Sequence, residues 1–594
     1  MSSDRKKQNI YSIAIIVVSI IVLSIFSSWF FFRIDLTAEK RHSISLATKS
    51  LLSKIDEPLR VTVYLKGDFP PGFTRLSEAT REFLDVFSAY NRNISYEFIN
   101  PNSFSDPSKR DTLIARLIRK GLNPTTLNVN KNGRTEQQLI FPSALVTYKN
   151  REVTVDLLKT QIGIPPEEVL NNSIEALEFN MAVALRKLTT NRKPAVAFLE
   201  GQREADLIKV ADAVRSLREY YLVYKVRPNG NPDNFFMIRT DPKTGKQLIE
   251  PKFRALIIAK PDSLFSEADK FLIDQYIMYG GKVLWFIDPV SASMDSIRNK
   301  GKTMAFSRDL NLNDQLFRYG VRLNDKLVMD LNALSIPVVT GQMGGQPQQD
   351  MLPWYFFPVL IPAQNHPIIK NINAIKTEFI SSIDTVKAKG VQKTILLTTS
   401  KYSRIVSVPV DISLDMLRIQ PDPATFNKPP QPVAVLLEGQ FTSLYKNRIP
   451  PVLKEDAKFT ALNQSRITGM LVVSDGDMIL NQIQNSNGRP YPLPLGYDRY
   501  SNQLFGNSDL LLNTVNYLCD DAGLVTLRTR EVKLRLLDSE KIKTHKLAIQ
   551  IVNVLIPVMI IISIGLLLFW IRRRKYTNIK NYNVSGNKKT RADS

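Results

Sequence analysis

Pro194-Ala195-Val196-Ala197-Phe198-Leu199-Glu200-Gly201-Gln202-Arg203-Glu204 decides the fold of this chain. Five apolar residues in a row, opened by proline and closed by a glycine turn, read as a short strand buried on both faces. A helix is predicted from there to about Glu219, then a strand at Leu222–Val226. Arg254-Ala255-Leu256-Ile257-Ile258-Ala259 repeats the pattern. Ser266 caps a helix to Tyr279, with Glu267 and Asp269 in its first turn. Gly280-Gly281 ends that helix, and Val283-Leu284-Trp285-Phe286-Ile287-Asp288 is another apolar strand. Alternating βα units with fully apolar strands predict a doubly wound parallel sheet.

Ligands in such sheets bind outside the carboxyl ends of the strands. The candidate ligand-binding residues are therefore Gly201, Gln202, Arg203, Glu204 and Asp288. A plain strand-to-helix connection competes with this reading of the turn, and a capping role competes at Asp288. Later strands are expected at Leu327–Asp330, Thr394–Leu397, Val433–Leu437 and Gly469–Val473. Between them Gly341–Gln349, rich in Gly and Gln, reads as a mobile loop, and Pro421–Pro432 is proline-rich. Ser474-Asp475-Gly476-Asp477 follows the last of these strands; its carboxylates suit a cation, and an ordinary Asp-Gly turn has the same composition.

Upstream, Leu59–Leu65 alternates like a strand, a helix follows over Leu76–Tyr90, and Ile94–Ile99 is a second strand. A helix near Asp111–Lys120 and a hairpin turning at Lys149-Asn150 complete a small α/β domain of thioredoxin-like order over residues 33–160. It has no Cys-x-x-Cys, which excludes a redox role. Glu167–Leu188 is predicted as one long helix linking two domains over residues 161–192, ahead of the large α/β domain at 193–540.

Two stretches are long and apolar enough to cross a membrane: 10–32, ending in Trp29-Phe30-Phe31-Phe32, and 547–571, ending near Trp570. Arg5, Lys6 and Lys7 precede the first, in tail 1–9, and Arg572-Arg573-Arg574-Lys575 open the second tail, 572–594. The positive-inside rule puts both termini in the cytoplasm and the region between outside it. Gln550 and Asn553 lie on one face of the second span, where a partner helix or interfacial water would satisfy them.

The formal charge is +23; the two tails supply +7 and +2 of it, and the remaining basic residues are scattered among acidic ones over the long middle. No basic run interleaved with aromatics occurs, so nucleic acid is not expected as a partner. There is no Gly-x-x-x-x-Gly-Lys-Ser/Thr, no His-Glu-x-x-His and no Gly-x-Ser-x-Gly. The histidines are His42, His366 and His545; the single cysteine, Cys519, sits on a predicted helix and reads as a small buried hydrophobe. Neither a catalytic centre nor a cofactor is expected. Were the crevice catalytic, Glu204 and Asp288 would be its acids.

Arg33-Ile34-Asp35-Leu36-Thr37-Ala38-Glu39-Lys40-Arg41-His42-Ser43 resembles the start of the gliding-motility-associated ABC-transporter auxiliary proteins, the GldG family. So do Ala197–Gly201, Ser266–Asp288, Leu511–Asp521 and Arg530–Asp538, in the same order. The resemblance implies a substrate-binding accessory subunit in the inner membrane that works with a separate ABC-type permease and ATPase. It also implies a large domain with the glutamine-amidotransferase-like fold, lacking that fold's catalytic cysteine. Where the family carries Gly-His-Gly-Glu, this chain has Gly201-Gln202-Arg203-Glu204. The alternative is a periplasmic scaffold tying motility-machine or secretion proteins to the membrane.

Overall fold

The computed structural model describes residues 44–586 and a few positions between 11 and 22. Left out are 104–105, 132–133, 163, 191–192, 241–246, 344–345, 363–364, 447–459, 487, 521–522, 524–526 and 529–544. Most of the first expected span, His42 and the motifs at Arg33–Ser43 and Arg530–Asp538 therefore lie outside the described residues. The chain divides into two compact units, Met1–Val532 and Lys533–Ser594, and is a mixed α/β structure with several sheets.

Near its start the first unit has a four-stranded sheet. Strand β1 (Leu59–Val63) leads through helix α1 (Pro71–Tyr90) to β2 (Ile94–Phe98), which lies parallel to β1. Helix α2 (Pro107–Arg119) precedes the hairpin of β3 (Ser143–Tyr148) and β4 (Arg151–Asp156), and the sheet order is β2-β1-β3-β4 with β3 antiparallel to β1. The stretch predicted as one linking helix is two, α3 (Pro166–Glu175) and α4 (Leu177–Thr189), divided at Ala176. Met181, Ala182, Leu185 and Leu188 of α4 join Val61, Leu84 and Val146 in one apolar core, so this segment closes the small sheet. Alanine favours helix more than any other residue, so local sequence carried no sign of the break.

The seven-stranded sheet is built from β5 (Ala195–Leu199), then helix α5 (Ala211–Arg218), β6 (Leu222–Val226) and β7 (Ala255–Ala259). Helix α6 (Glu267–Met278), β8 (Lys282–Phe286) and helix α7 (Asn313–Tyr319) follow. Ser266 caps α6 as expected, its hydroxyl accepting from the Asp269 amide at 3.1 Å. Next comes a long ribbon, β9 (Ala333–Met343) with β10 (Gln346–Leu360), whose base is extended by the short strand Ile375–Lys376 pairing with Val359–Leu360. The sheet is completed by β11 (Val391–Thr398), β12 (Pro432–Gly439) and β13 (Thr468–Val473), and helix α8 (Asn507–Leu518) packs on it.

The strand order is β11-β12-β13-β8-β7-β5-β6. The chain moves from β5 outward to β6, then returns to the other side of β5 for β7 and β8. That reversal is the topological switch point of a doubly wound sheet. Residues of α5 and α8 pack on one face, and those of α6 and α7 on the other. Cys519 belongs to the first of these cores, as its reading as a hydrophobe requires.

Two expectations are corrected. The sheet is mixed, because β12 runs antiparallel to both β11 and β13. Its residues Val433–Leu437 are fully buried, and an apolar run that is covered on both faces reads the same in either direction. The loop expected at Gly341–Gln349 belongs to the ribbon, whose pairing continues to Met343 opposite Gln346. Ile336, Trp354 and Phe356 anchor its base in a core of their own, while Val339 and Met351 are exposed.

The second unit contains helix α9 (Lys546–Gly586). Among the described residues, its Lys546–Ile571 part is the one helix long and apolar enough to cross a membrane. Gln550 and Asn553 are exposed on it.

Candidate functional site

Four of the parallel strands deliver polar residues at their carboxyl ends. The Gly201–Glu204 turn follows β5, Lys260 follows β7, Asp288 lies just beyond β8, and Asp475 and Asp477 follow β13. The turn is clamped by its own carboxylate: Glu204 Oε2 accepts from the Gly201 and Gln202 amides, both at 2.9 Å. Burial pushes the Glu204 carboxyl above the ordinary range, against the pull of those amides. The clamp holds Arg203 at φ 51°, an uncommon conformation for a residue other than glycine. Gln202 turns inward instead and donates to Asp269 at 3.0 Å. Its backbone oxygen accepts from the Asp262 amide, 2.9 Å, and the Ala205 amide donates to Ala259, 3.0 Å. The two loops of the switch point are thus joined to each other.

Beneath them lies a buried charge cluster. The carboxylates of Asp288, Asp475 and Asp477 offer oxygens within 4.8 Å of one another. Three carboxylates at this spacing form a donor set that a divalent cation could use. The chain supplies its own cation there: Lys260 Nζ lies 3.1 Å from Asp288 Oδ2 and bonds Asp477 Oδ2. Burial works against the ammonium, but the Asp288 and Asp477 carboxylates outweigh it and raise its pKa above the usual lysine value. Asp475 accepts from the Asp477 amide at 2.7 Å, the Met478 amide at 3.2 Å and the Glu378 amide at 3.1 Å. Burial, then the Asp477 and Asp288 charges, push its pKa well up. Only glycine fits at 476, where a Cβ would come within 2.7 Å of Lys260 Cγ and 2.9 Å of Asp288 Oδ1.

Asp477 is pushed up to about 7, chiefly by burial, with Lys260 pulling the other way. Its folded pKa therefore exceeds its unfolded value near 4. The stability this group contributes is greatest below pH 4 and is lost as the pH rises toward 7. Asp477→Asn is expected to flatten that part of the stability curve. Above pH 7 it should make the protein about 1 kcal/mol or more stabler, because Lys260 keeps Asp288 as its partner and one buried charge is gone. Urea unfolding at pH 5 and pH 8 checks both.

Above the cluster opens a cleft of about 690 Å³, within the usual size of a small-molecule site. Arg203, Glu204, Lys260, Glu378, Asp477 and Arg499 are among its lining residues. Of the residues proposed from sequence, Arg203 and Glu204 reach this cleft. Gln202 is buried beside α6, and Asp288 lies within the cluster, accepting a bond from the Gly476 amide. Asp288 is neither a surface turn residue nor a helix cap. Lys260 was missed. Its only sequence signal is a lysine placed directly after an apolar strand, which a solvated strand end would share.

Residues 193–514 match a family model described as an ABC-type uncharacterized transport system. Residues 38–147 match a domain of unknown function. An uncharacterized protein of Borreliella burgdorferi is 22% identical over 553 residues, covering 92% of this chain and 94% of the relative. Among solved structures, the mmIFT52 N-terminal domain matches 55% of this chain and 97% of its own at 11% identity, with a TM-score of 0.29. The exo-β-1,4-mannosidase Op5Man5 from an Opitutaceae bacterium matches 74% of this chain and 51% of its own, at 11% identity and a TM-score of 0.17.

Proposed function

The chain belongs to the ABC-type uncharacterized transport system family, and from that membership we propose that it is a non-catalytic accessory subunit that binds a ligand in the cleft above the seven-stranded sheet. Its working partners are then an ABC-type permease and a separate ATPase, as in the gliding-motility complexes it resembles. The observation that carries the ligand-binding reading is the state of three of the cleft's acids. Asp262 is held by Arg308, Glu378 lies 3.4 Å from Lys376, and Asp477 is bonded to Lys260. Carboxylates committed to ion pairs suit holding and orienting a solute better than moving protons.

In the same reading, 10–32 and 547–571 are membrane spans, both tails are cytoplasmic, and the α/β region faces the periplasm. Lys546–Ile571 supports the second span by its length and composition. Gln550 and Asn553 would face the permease, since amides within a bilayer seek a hydrogen-bonding helix.

Affinity purification of the full-length protein from gently solubilised membranes tests the assignment. An ATP-binding subunit and a multi-span permease are expected in fixed proportion to it. Recovery of envelope or motility-machine proteins without an ATPase would overturn the accessory-subunit reading in favour of a scaffold.

A further inference from the structure

Set aside the ion pairs just described, and the cleft is left with an excess of positive charge at its rim. Arg203, Lys209 and Arg499 line it, all exposed, and among the described residues none has a carboxylate partner. On the acidic side Asp206 also lines the cleft and has no cationic partner among the described residues. Glu204 directs Oε2 to the Gly201 and Gln202 amides, and its Oε1 is buried without a partner among the described residues.

An independent feature involves Arg298 and Arg499, both lining residues. The Tyr500 phenol oxygen accepts from Arg499 Nη2 at 2.7 Å and from Arg298 Nη2 at 3.2 Å. Two guanidinium groups are gathered on one neutral oxygen; Asp295 lies 3.4 Å from Arg298, and Arg499 has no carboxylate partner among the described residues. Like charges at such separations repel. Their planar forks, held side by side, match the oxygens of a phosphate or carboxylate and would be neutralised by one. Arg203, kept in its unusual backbone conformation by the Glu204 clamp, presents a third guanidinium to the same space.

We propose that the cleft takes an anionic ligand, carrying a phosphate or carboxylate group, through Arg203, Lys209, Arg298 and Arg499. This rests on the reading of the cleft as a ligand site and names the chemistry of the ligand. The neutralised floor, with Lys260–Asp477 and Lys376–Glu378, faces the uncharged body of the ligand. The rim cations face its charge.

The test uses the full-length protein in neutral detergent and two probes. Inorganic pyrophosphate is titrated by calorimetry at low salt, and vesicles of phosphatidylglycerol are compared with vesicles of phosphatidylcholine. Pyrophosphate is expected to bind. Its affinity should fall at least tenfold in the Arg203→Gln/Arg499→Gln variant and stay unchanged in Arg60→Gln, an exposed arginine outside the cleft. Binding of phosphatidylglycerol alone, with the same dependence on Arg203 and Arg499, supports the proposal and assigns a lipid headgroup as the source. Failure of both probes to bind, or binding that survives in the double variant, overturns it. An unchanged thermal midpoint verifies that the variant is folded. Co-purification with the transporter subunits keeps the two readings apart. If it persists while neither probe binds, only the anionic ligand is lost; if it is absent in the unaltered protein, the accessory-subunit reading fails.

Discussion

Lys260→Met is expected to cost about 3–5 kcal/mol of stability at neutral pH, because it leaves buried carboxylates without their cation. Asp288 and Asp475 are nearly inaccessible, and Asp477 sits with them at the cleft floor. In the unaltered protein one ammonium serves Asp288 and Asp477 directly and lowers the charge felt by Asp475. Methionine fills most of the lysine volume, so the loss reports charge rather than a cavity. Acid should narrow the deficit, since protonation of Asp475 and Asp477 removes the repulsion that lysine had balanced. Adding Asp477→Asn to Lys260→Met should recover part of the loss. The readout is the urea midpoint of the full-length chain at pH 8 and pH 5. Equal midpoints for variant and parent at pH 8 would show that the cluster is not a charged unit.

Asp274→Ala is the second large effect expected, again about 3–5 kcal/mol, from four donors left without an acceptor. Asp274 lies within α6 and is fully buried. Its Oδ1 accepts from Tyr319 Oη at 2.8 Å and the Leu444 amide at 2.9 Å. Its Oδ2 accepts from Ser443 Oγ at 2.6 Å and Gln275 Nε2 at 3.0 Å. One carboxylate thus fastens α7 and the 443–444 segment to α6. Burial raises its pKa against the pull of Ser443, Leu444, Tyr319 and Gln275. Asp274→Asn keeps the shape and one acceptor oxygen, and should lose less than the alanine variant. Hydrogen exchange should show the 443–445 amides losing protection first. A loss below about 1 kcal/mol would mean that these donors find water instead.

How far the sequence carried can be judged from particular strands. Ala195–Leu199, Ala255–Ala259 and Lys282–Phe286 were legible because a short apolar run closed by glycine, proline or a charge can hardly be anything else. The reversed β12 was not, since direction leaves no mark on a strand buried on both faces. The ribbon was mistaken for a loop because Gly and Gln signal irregular backbone locally, while its pairing depends on apolar residues farther along, such as Ile336 and Trp354. At the site, the strand-end rule found Glu204, Arg203 and Asp288 but not which of them face the cleft. Lys260 and Arg499 come from separate loops and Arg298 from the short helix Met294–Lys300, and only the folded sheet brings them to one place.

The ribbon's prolines carry a consequence for crowded conditions. Pro337 lies opposite Met351 and Pro353 opposite Ser335, two steps apart in an unshifted stretch of the ladder. Proline has no amide hydrogen to give, so both occupy pairs whose amides point away from the ribbon. Each outer edge is thereby interrupted at a position where an incoming strand would seek a donor. Copies held close together can therefore jostle through this ribbon, whose one charge is Asp350, without zipping into a growing sheet. Whatever touches it must do so across its side chains, and is free to leave again.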